Sequence, residues 1–198
     1  MDEPHLTSFT AVILAGGRAA RMGGADKASI EIDGRPLLQH ALDAVIDAAE
    51  VVVVGDPVPT DRPVTFVREE PAYGGPVAAL MAARDMLLRT VPTLAVMAVD
   101  MPRVTAGTFR RLSDAAQRRD GAVLVGPDGR RQLTFVVHLD RLDAVAPGPE
   151  ERHGAALRSV LDRLDLAAVP ARGLEWRDVD SWQDLRELAE QPPVDRPD

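Results

Sequence analysis

The sequence predicts an α/β protein, a three-layer sandwich on a mostly parallel sheet, and three observations carry that prediction. Short apolar runs rich in β-branched residues recur along the chain, and several lack polar alternation, as strands buried on both faces do. Between them lie stretches with apolar residues at helical spacing. Hydrophobic residues make up 45% of the 198 residues, enough for a real core in one domain of ordinary size.

The expected strands are TAVIL (10–14), VVVV (51–54), VTFV (64–67), TLAVMAV (93–99), AVLV (122–125) and LTFVV (133–137). The first, second and fourth read as doubly buried. The first expected helix covers 36–49, with Pro36 suited to a first helical position and Leu37, Leu38, Ala41, Leu42, Val45 and Ile46 as its apolar face. Further helices are expected over 76–89 and 105–119, so strand and helix alternate over the first 120 residues, which implies parallel strands. LTFVVHL follows the turn GPDGRR and is a candidate for antiparallel pairing. A helix over 153–164, a short strand over 167–169 and a last helix from Trp182 complete the chain, with Ser181 and Asp184 as a capping box. Residues 1–190 read as a single domain and 191–198 as a flexible proline-rich tail.

Composition narrows the function. The formal net charge is -8, which argues against a general grip on nucleic acid, so any phosphate site must be local. No cysteine is present, which excludes disulfides and thiolate metal sites and fits a reducing compartment. No apolar stretch approaches a membrane span and no signal peptide is evident, so the expectation is a cytoplasmic protein with no membrane partner. The histidines at 5, 40, 138 and 153 make no metal-ligand spacing, and His40 reads as packing.

The stretch LAGGRAARMGGADK (14–27) holds four glycines and three cations just after the first strand. Ligands of open α/β sheets sit outside the carboxyl ends of the strands. Glycines there let the backbone approach a ligand, while Arg18, Arg21 and Lys27 bring charge. Neither a Walker loop nor a dinucleotide fingerprint fits this spacing. Asp100, at the end of TLAVMAVD, points to the same edge, where one or two carboxylates plus phosphate oxygens suit Mg2+.

LAGGRAARMGGADK closely resembles the signature of the MobA-like nucleotidyltransferases, and the likeness continues in IDGRPLLQH (32–40), YGGPVAAL (73–80), VDMP (99–102) and DVDSWQDL (178–185), in family order. The resemblance implies a Rossmann-like nucleotide-binding sheet and Mg2+-dependent transfer of a nucleoside monophosphate from a triphosphate to a phosphorylated acceptor. It is nearest to members that use GTP and a molybdopterin acceptor bearing molybdenum. Transient contact with other cofactor-biosynthesis or acceptor proteins is implied too. Transfer of another base, as in molybdopterin cytidylyltransferases, another phosphorylated acceptor, and a nucleotide-binding regulatory module without turnover are the alternatives.

Carried onto this chain, the resemblance implies catalytic roles for Arg21, Lys27 and Asp100. Leu14, Ala15, Gly16 and Gly17 would line the base and phosphates. Asp100 matches the metal-binding aspartate. Asp180 stands where many relatives carry an asparagine on the metal side, and metal contact and a purely structural role stay open for it. Trp182 and Gln183 depart from the usual Pro-Glu. Gly55 falls near a nucleotide contact and reads equally as a plain turn glycine, and Glu69 falls where an acidic residue accompanies the nucleotide, with Glu70 competing; Gly74 and Gly75 themselves bring backbone close just before a helix whose N-terminal amides suit a base or an anion. Gly16 adds a hint of base choice: guanine users carry L-A-G-G, whereas cytidine users tend to L-A-A-G. Arg130 and Arg131, in GRRQLT, match an acceptor-facing loop, although solvated turn arginines are the favoured reading, as is a solvated face for RRLSDAAQRRD.

Overall fold

The computed structural model describes residues 9–16, 22–23, 26–70, 74–88 and 91–191. A seven-stranded sheet runs through it. Strands β1 (Thr10–Leu14), β4 (Glu50–Val54), β5 (Thr65–Val67) and β6 (Thr93–Ala98) are mutually parallel, and β7 (Gly121–Val125), β8 (Arg131–His138) and β9 (Leu166–Pro170) complete it, in the order β5-β4-β1-β6-β8-β7-β9. β8 lies antiparallel to both β6 and β7, while β7 and β9 are parallel. A tight hairpin, β2 (Glu31–Ile32) and β3 (Arg35–Pro36), turns at Asp33-Gly34, both with positive φ (54° and 74°), the geometry of the two-residue turn that matches strand twist.

Alternation along the strands builds the layers. Ala11, Ile13, Val51, Val53, Ala95 and Met97 face one side, packed by α1 (Leu37–Ala44), α3 (Ala106–Ala116) and α6 (Trp182–Ala189). Val12, Leu14, Val52, Val54, Leu94 and Val96 face the other, covered by α2 (Gly75–Asp85), α4 (Leu139–Val145) and α5 (Leu157–Leu161). The three central parallel strands are therefore buried on both faces, as their unbroken apolar runs require.

Several helices are shorter than their apolar periodicity suggests. The helix expected over 36–49 ends at Ala44, with Pro36 as its N-cap, because the chain must reverse through 45–49 to hand Ala49 N–H to Phe9 O. Ile46 is consequently exposed. α2 ends at Asp85 and α3 at Ala116, not at 89 and 119. The expected helix over 153–164 keeps only 157–161, since Gly154 N–H is held by Gly74 O at the start of α2. Helix α4 is absent from the sequence reading: it follows β8 at once, with no turn residue to announce it. Of the expected tail 191–198, all but Gln191 lies outside the described residues. Among the described residues, no helix is long and apolar enough to cross a membrane.

Candidate active site

The carboxyl ends of β1, β4 and β6 meet at one edge of the sheet, and the candidate residues are assembled there by backbone bonds that continue past the strands. Val99 N–H donates to Leu14 O at 3.0 Å and Ala15 N–H to Val54 O at 2.9 Å. Asp100 follows directly, and its carbonyl accepts from Val179 N–H at 2.8 Å. That bond brings the C-terminal segment alongside the end of β6. Val179 is fully buried, so Asp178 and Asp180, one residue to either side, project the other way. Asp180 then leads into α6, where Ser181 accepts from Asp184 N–H at 3.2 Å, and the Asp184 carboxylate takes the Ser181 hydroxyl at 2.6 Å and Asp180 N–H at 3.3 Å.

Lys27 comes from a different segment. A single 3-10 turn, Lys27–Ser29, is capped by Asp26, whose carboxylate accepts from Ala28 N–H at 3.1 Å and from the Ser29 hydroxyl at 2.7 Å. Ala28 is buried, which anchors the turn and sends the Lys27 side chain toward the sheet edge. Its Nζ stands 2.8 Å from Asp100 Oδ2 and 2.8 Å from Asp180 Oδ1. The two carboxylates thus share one cation.

Two groups of the cluster titrate away from their ordinary values. Burial pulls the Lys27 ammonium toward its neutral form, but the charge and hydrogen bonds of Asp100, then those of Asp180, outweigh it and raise its pKa above the ordinary lysine value. Asp178 is exposed as a residue, yet desolvation of its carboxyl group, followed by the charges of Asp180 and Asp100, pushes it above the usual carboxylate range. Among the described residues, one ammonium therefore faces three carboxylates. Hard oxygens with excess negative charge suit a divalent cation, and the ammonium already bridging two of them marks where positive charge is accepted. No group of three or more His, Cys, Asp or Glu side chains takes up metal-binding geometry among the described residues, so Asp100 and Asp180 form the candidate ligand pair.

The other candidates fall around this edge unequally. Ala15 N–H is committed to the sheet, so a ligand cannot use it without breaking a bond, whereas Leu14 O, which accepts from Val99 N–H, keeps a second lone pair. Gly16 is exposed, and an added Cβ would stand 3.6 Å from Val54 O, an ordinary contact. Gly17 and Arg21, together with Arg18, lie outside the described residues. Gly55 has a packing reason to be glycine: its Cβ would come within 3.2 Å of Ala15 Cβ. Gly75 has a positive φ of 87° at the first residue of α2. Glu69 is half-buried and Glu70 exposed just past β5. Arg131 pairs with Asp162 and Arg130 with Asp128 at the surface. His40 meets Ile32 O at 3.0 Å, a structural contact. A cavity of about 290 Å³ lined by Ala28, Leu38, Val58 and Pro59 has mostly apolar walls and no cation among its lining residues.

Sequence reasoning missed Asp178, although the alternation D-V-D was the available signal: with Val179 inward, both aspartates share a side. It also read RRLSDAAQRRD as a solvated helix face. Arg111 instead forks onto Glu175, which is 7% exposed, at 3.1 and 2.6 Å.

The fold recurs in solved structures. Molybdopterin-guanine dinucleotide biosynthesis protein A of Archaeoglobus fulgidus superposes with a TM-score of 0.66 at 18% identity, over 91% of this chain and 97% of that one. A manganese complex of a Mycobacterium tuberculosis protein gives 0.70 at 20% identity, over 93% and 100%. The sequence carries the assignment further. The MobA-like NTP transferase domain matches residues 11–168, and the chain belongs to that family of nucleotidyltransferases. It is 32% identical over 185 residues to a probable molybdenum cofactor guanylyltransferase of Mycobacterium bovis, covering 86% of this chain and 89% of that protein. It is 30% identical over 132 residues to the molybdenum cofactor guanylyltransferase of Shewanella loihica, covering 64% of this chain and 66% of that protein, just under two thirds of its length.

Proposed function

We propose that this protein transfers GMP from GTP to the phosphate of molybdenum-bearing molybdopterin, forming the guanine dinucleotide and releasing pyrophosphate. The observation that carries the reading is Lys27 bridging Asp100 and Asp180 at the carboxyl edge of a family nucleotidyltransferase sheet. The named guanylyltransferase relatives support guanine and the molybdopterin acceptor. An acceptor phosphate oxygen attacks the α-phosphorus, the new P–O bond forms, and the bond to the β-phosphate oxygen breaks with its electrons leaving on pyrophosphate. Such chemistry asks for alignment and charge stabilisation more than for a covalent partner.

In this reading Lys27, with Arg21 from the glycine loop, holds the triphosphate and the leaving pyrophosphate. Asp100 and Asp180 hold Mg2+, which supplies charge neutralisation on the phosphates when bound. Gly16 and Gly17 offer backbone to the nucleotide, with Gly55, Glu69 and Gly75 flanking it. The activity is assigned to one domain over residues 1–190 and to the cytoplasm.

A crossed assay of the four nucleoside triphosphates against molybdopterin, with and without molybdate, tests the whole reading. GTP should exceed CTP by at least about tenfold in efficiency, a difference of about 1.4 kcal/mol. Preference for CTP overturns the guanylyl assignment. Gly16→Ala, which the fold accommodates, should shrink the preference by harming GTP selectively, within the 1–3 kcal/mol or so that one methyl is worth in a tight pocket. Asp100→Ala should abolish most turnover, and near-normal pyrophosphate release in that variant removes Asp100 from the chemistry.

A further inference from the structure

We infer that Arg103 is a positioning residue for this site: a single buried guanidinium clamps the segments carrying Lys27 and Asp180 to the segment carrying Asp100. The inference rests on the transferase reading above. Lys27, Asp100 and Asp180 come from three stretches far apart in sequence; their ion pairs hold the ends of side chains, and one backbone bond, Val179 N–H to Asp100 O, joins two of the stretches. Arg103 ties the same three stretches a second time, through the Asp33 carboxylate and two carbonyls at the end of α6. It lies three residues after Asp100, in the loop where Val104 N–H closes a turn on Met101 O. Its side chain is 6% exposed. Nη1 donates to Asp33 Oδ2 at 2.8 Å, at the tip of the β2–β3 hairpin that directly follows the Lys27 turn. Nη2 donates to Leu188 O at 2.6 Å and Gln191 O at 3.2 Å, at the C-terminal end of α6, whose other end begins beside Asp180.

The chemistry of the contact favours positioning over stability. Two carbonyls at a helix end, one of which (Leu188 O) also accepts from Gln191 N–H, gain a charged donor, and Asp33, held at positive φ, gives its carboxylate to the same guanidinium. Yet Arg103 Nε is buried with no hydrogen-bond partner among the described residues, a standing cost that an apolar side chain would not carry. What the arginine does that an apolar residue cannot is hold two separate backbone segments at fixed distance from a third. With the clamp gone, hairpin and α6 shift independently, and Lys27 and Asp180 no longer arrive together at Asp100.

The test compares wild type, Arg103→Met, Asp33→Asn, Lys27→Ala and Lys27→Ala/Arg103→Met by pyrophosphate release and by hydrogen exchange. Arg103→Met should lower kcat about thirtyfold, inside the hundredfold that a misplacement of about 1 Å costs, with KM for GTP within about threefold. Amide exchange should rise in both 26–36 and 178–191. In the Lys27→Ala background the same substitution should lower kcat by less than it does in the wild type, because only Asp180 is then left to misplace. Asp33→Asn tolerates the positive φ and alters one arm at a half-exposed turn, so it folds even where Arg103→Met does not. It should lower kcat about fivefold and raise exchange in 26–36 alone. A kcat within about twofold of wild type in both single variants, an undiminished effect on the Lys27→Ala background, or unchanged exchange in both segments overturns the clamp. If the wild-type protein releases no pyrophosphate while exchange rises as stated, the transferase reading falls and the clamp stands as a tie between segments only.

Discussion

Two of the ionic clusters that fasten the C-terminal segment 171–191, one to α3 and one to the carboxyl edge of the sheet, are built on opposite principles. At the first, Glu175 accepts from the Thr108 hydroxyl at 2.6 Å, from both terminal nitrogens of Arg111, and from Arg172 N–H at 2.7 Å. One carboxylate meets one guanidinium, and both oxygens are filled. At the second, a few residues on, one ammonium is shared by Asp100 and Asp180 while Asp178 adds a third carboxylate. A buried charge that is fully paired and hydrogen-bonded has nothing left to offer a ligand. Among the described residues the second cluster has more carboxylates than cations, the arrangement that the proposed divalent-cation site calls for.

Substitutions separate the two. Glu175→Ala should have the largest effect, lowering stability by about 3–5 kcal/mol, the cost of leaving a buried partner unpaired. Chemical denaturation should show this loss equally with and without Mg2+, and a loss that Mg2+ reverses would erase the distinction drawn above. Lys27→Ala should come next, weakening transition-state stabilisation by about 2–4 kcal/mol in kcat/KM. Its stability deficit should shrink when a divalent cation is added, because the carboxylates it leaves behind then regain a positive partner. Thermal unfolding with a Mg2+ titration reads that directly, and no response would mean that the acidic cluster does not take a cation.

Asp178→Asn should have the smallest effect, a gain in stability below about 1 kcal/mol at neutral pH, since the charge is partly solvated. The sign follows from the raised pKa. Between the ordinary aspartate value and the folded one, the folded state keeps a proton that the unfolded state has lost, so stability falls as pH rises through that window. The asparagine variant should lose that slope. For Asp184 the sign reverses: hydrogen bonds from Ser181 lead in depressing its pKa, so its contribution is present above the ordinary value and is lost as pH falls through the folded one. Ser181→Ala should remove about 1 kcal/mol of helix capping together with that acid-side loss, measurable as Tm against pH.

Much of the scaffold was legible because it depends on local pattern. The unbroken apolar runs of β1, β4 and β6 require two covered faces, whatever the topology. Antiparallel pairing of β8 followed from its turn with β7. Helix ends were not legible, because periodicity says nothing of where the chain must reverse: Ile46 continues an apolar stripe and still faces water. Within the site, the glycine-rich stretch and the strand-end aspartate announce themselves by composition. Asp178 did not, because its side chain's direction depends on Val179 being buried against the sheet.

The sequence by itself determined the layered α/β architecture, the family, and the residue types that gather at the carboxyl edge, since each is written in spacing within a few tens of residues. Only the tertiary structure decided that Lys27 lies between Asp100 and Asp180, that Arg111 belongs to Glu175 rather than to solvent, and that Arg103 joins a hairpin to a helix end. Those partners are separated by 73, 153, 64, 70 and 85 residues. The physical reason is that a charged side chain has no local pattern naming its partner; the partner is whichever group the packed backbone brings within about 3 Å of it.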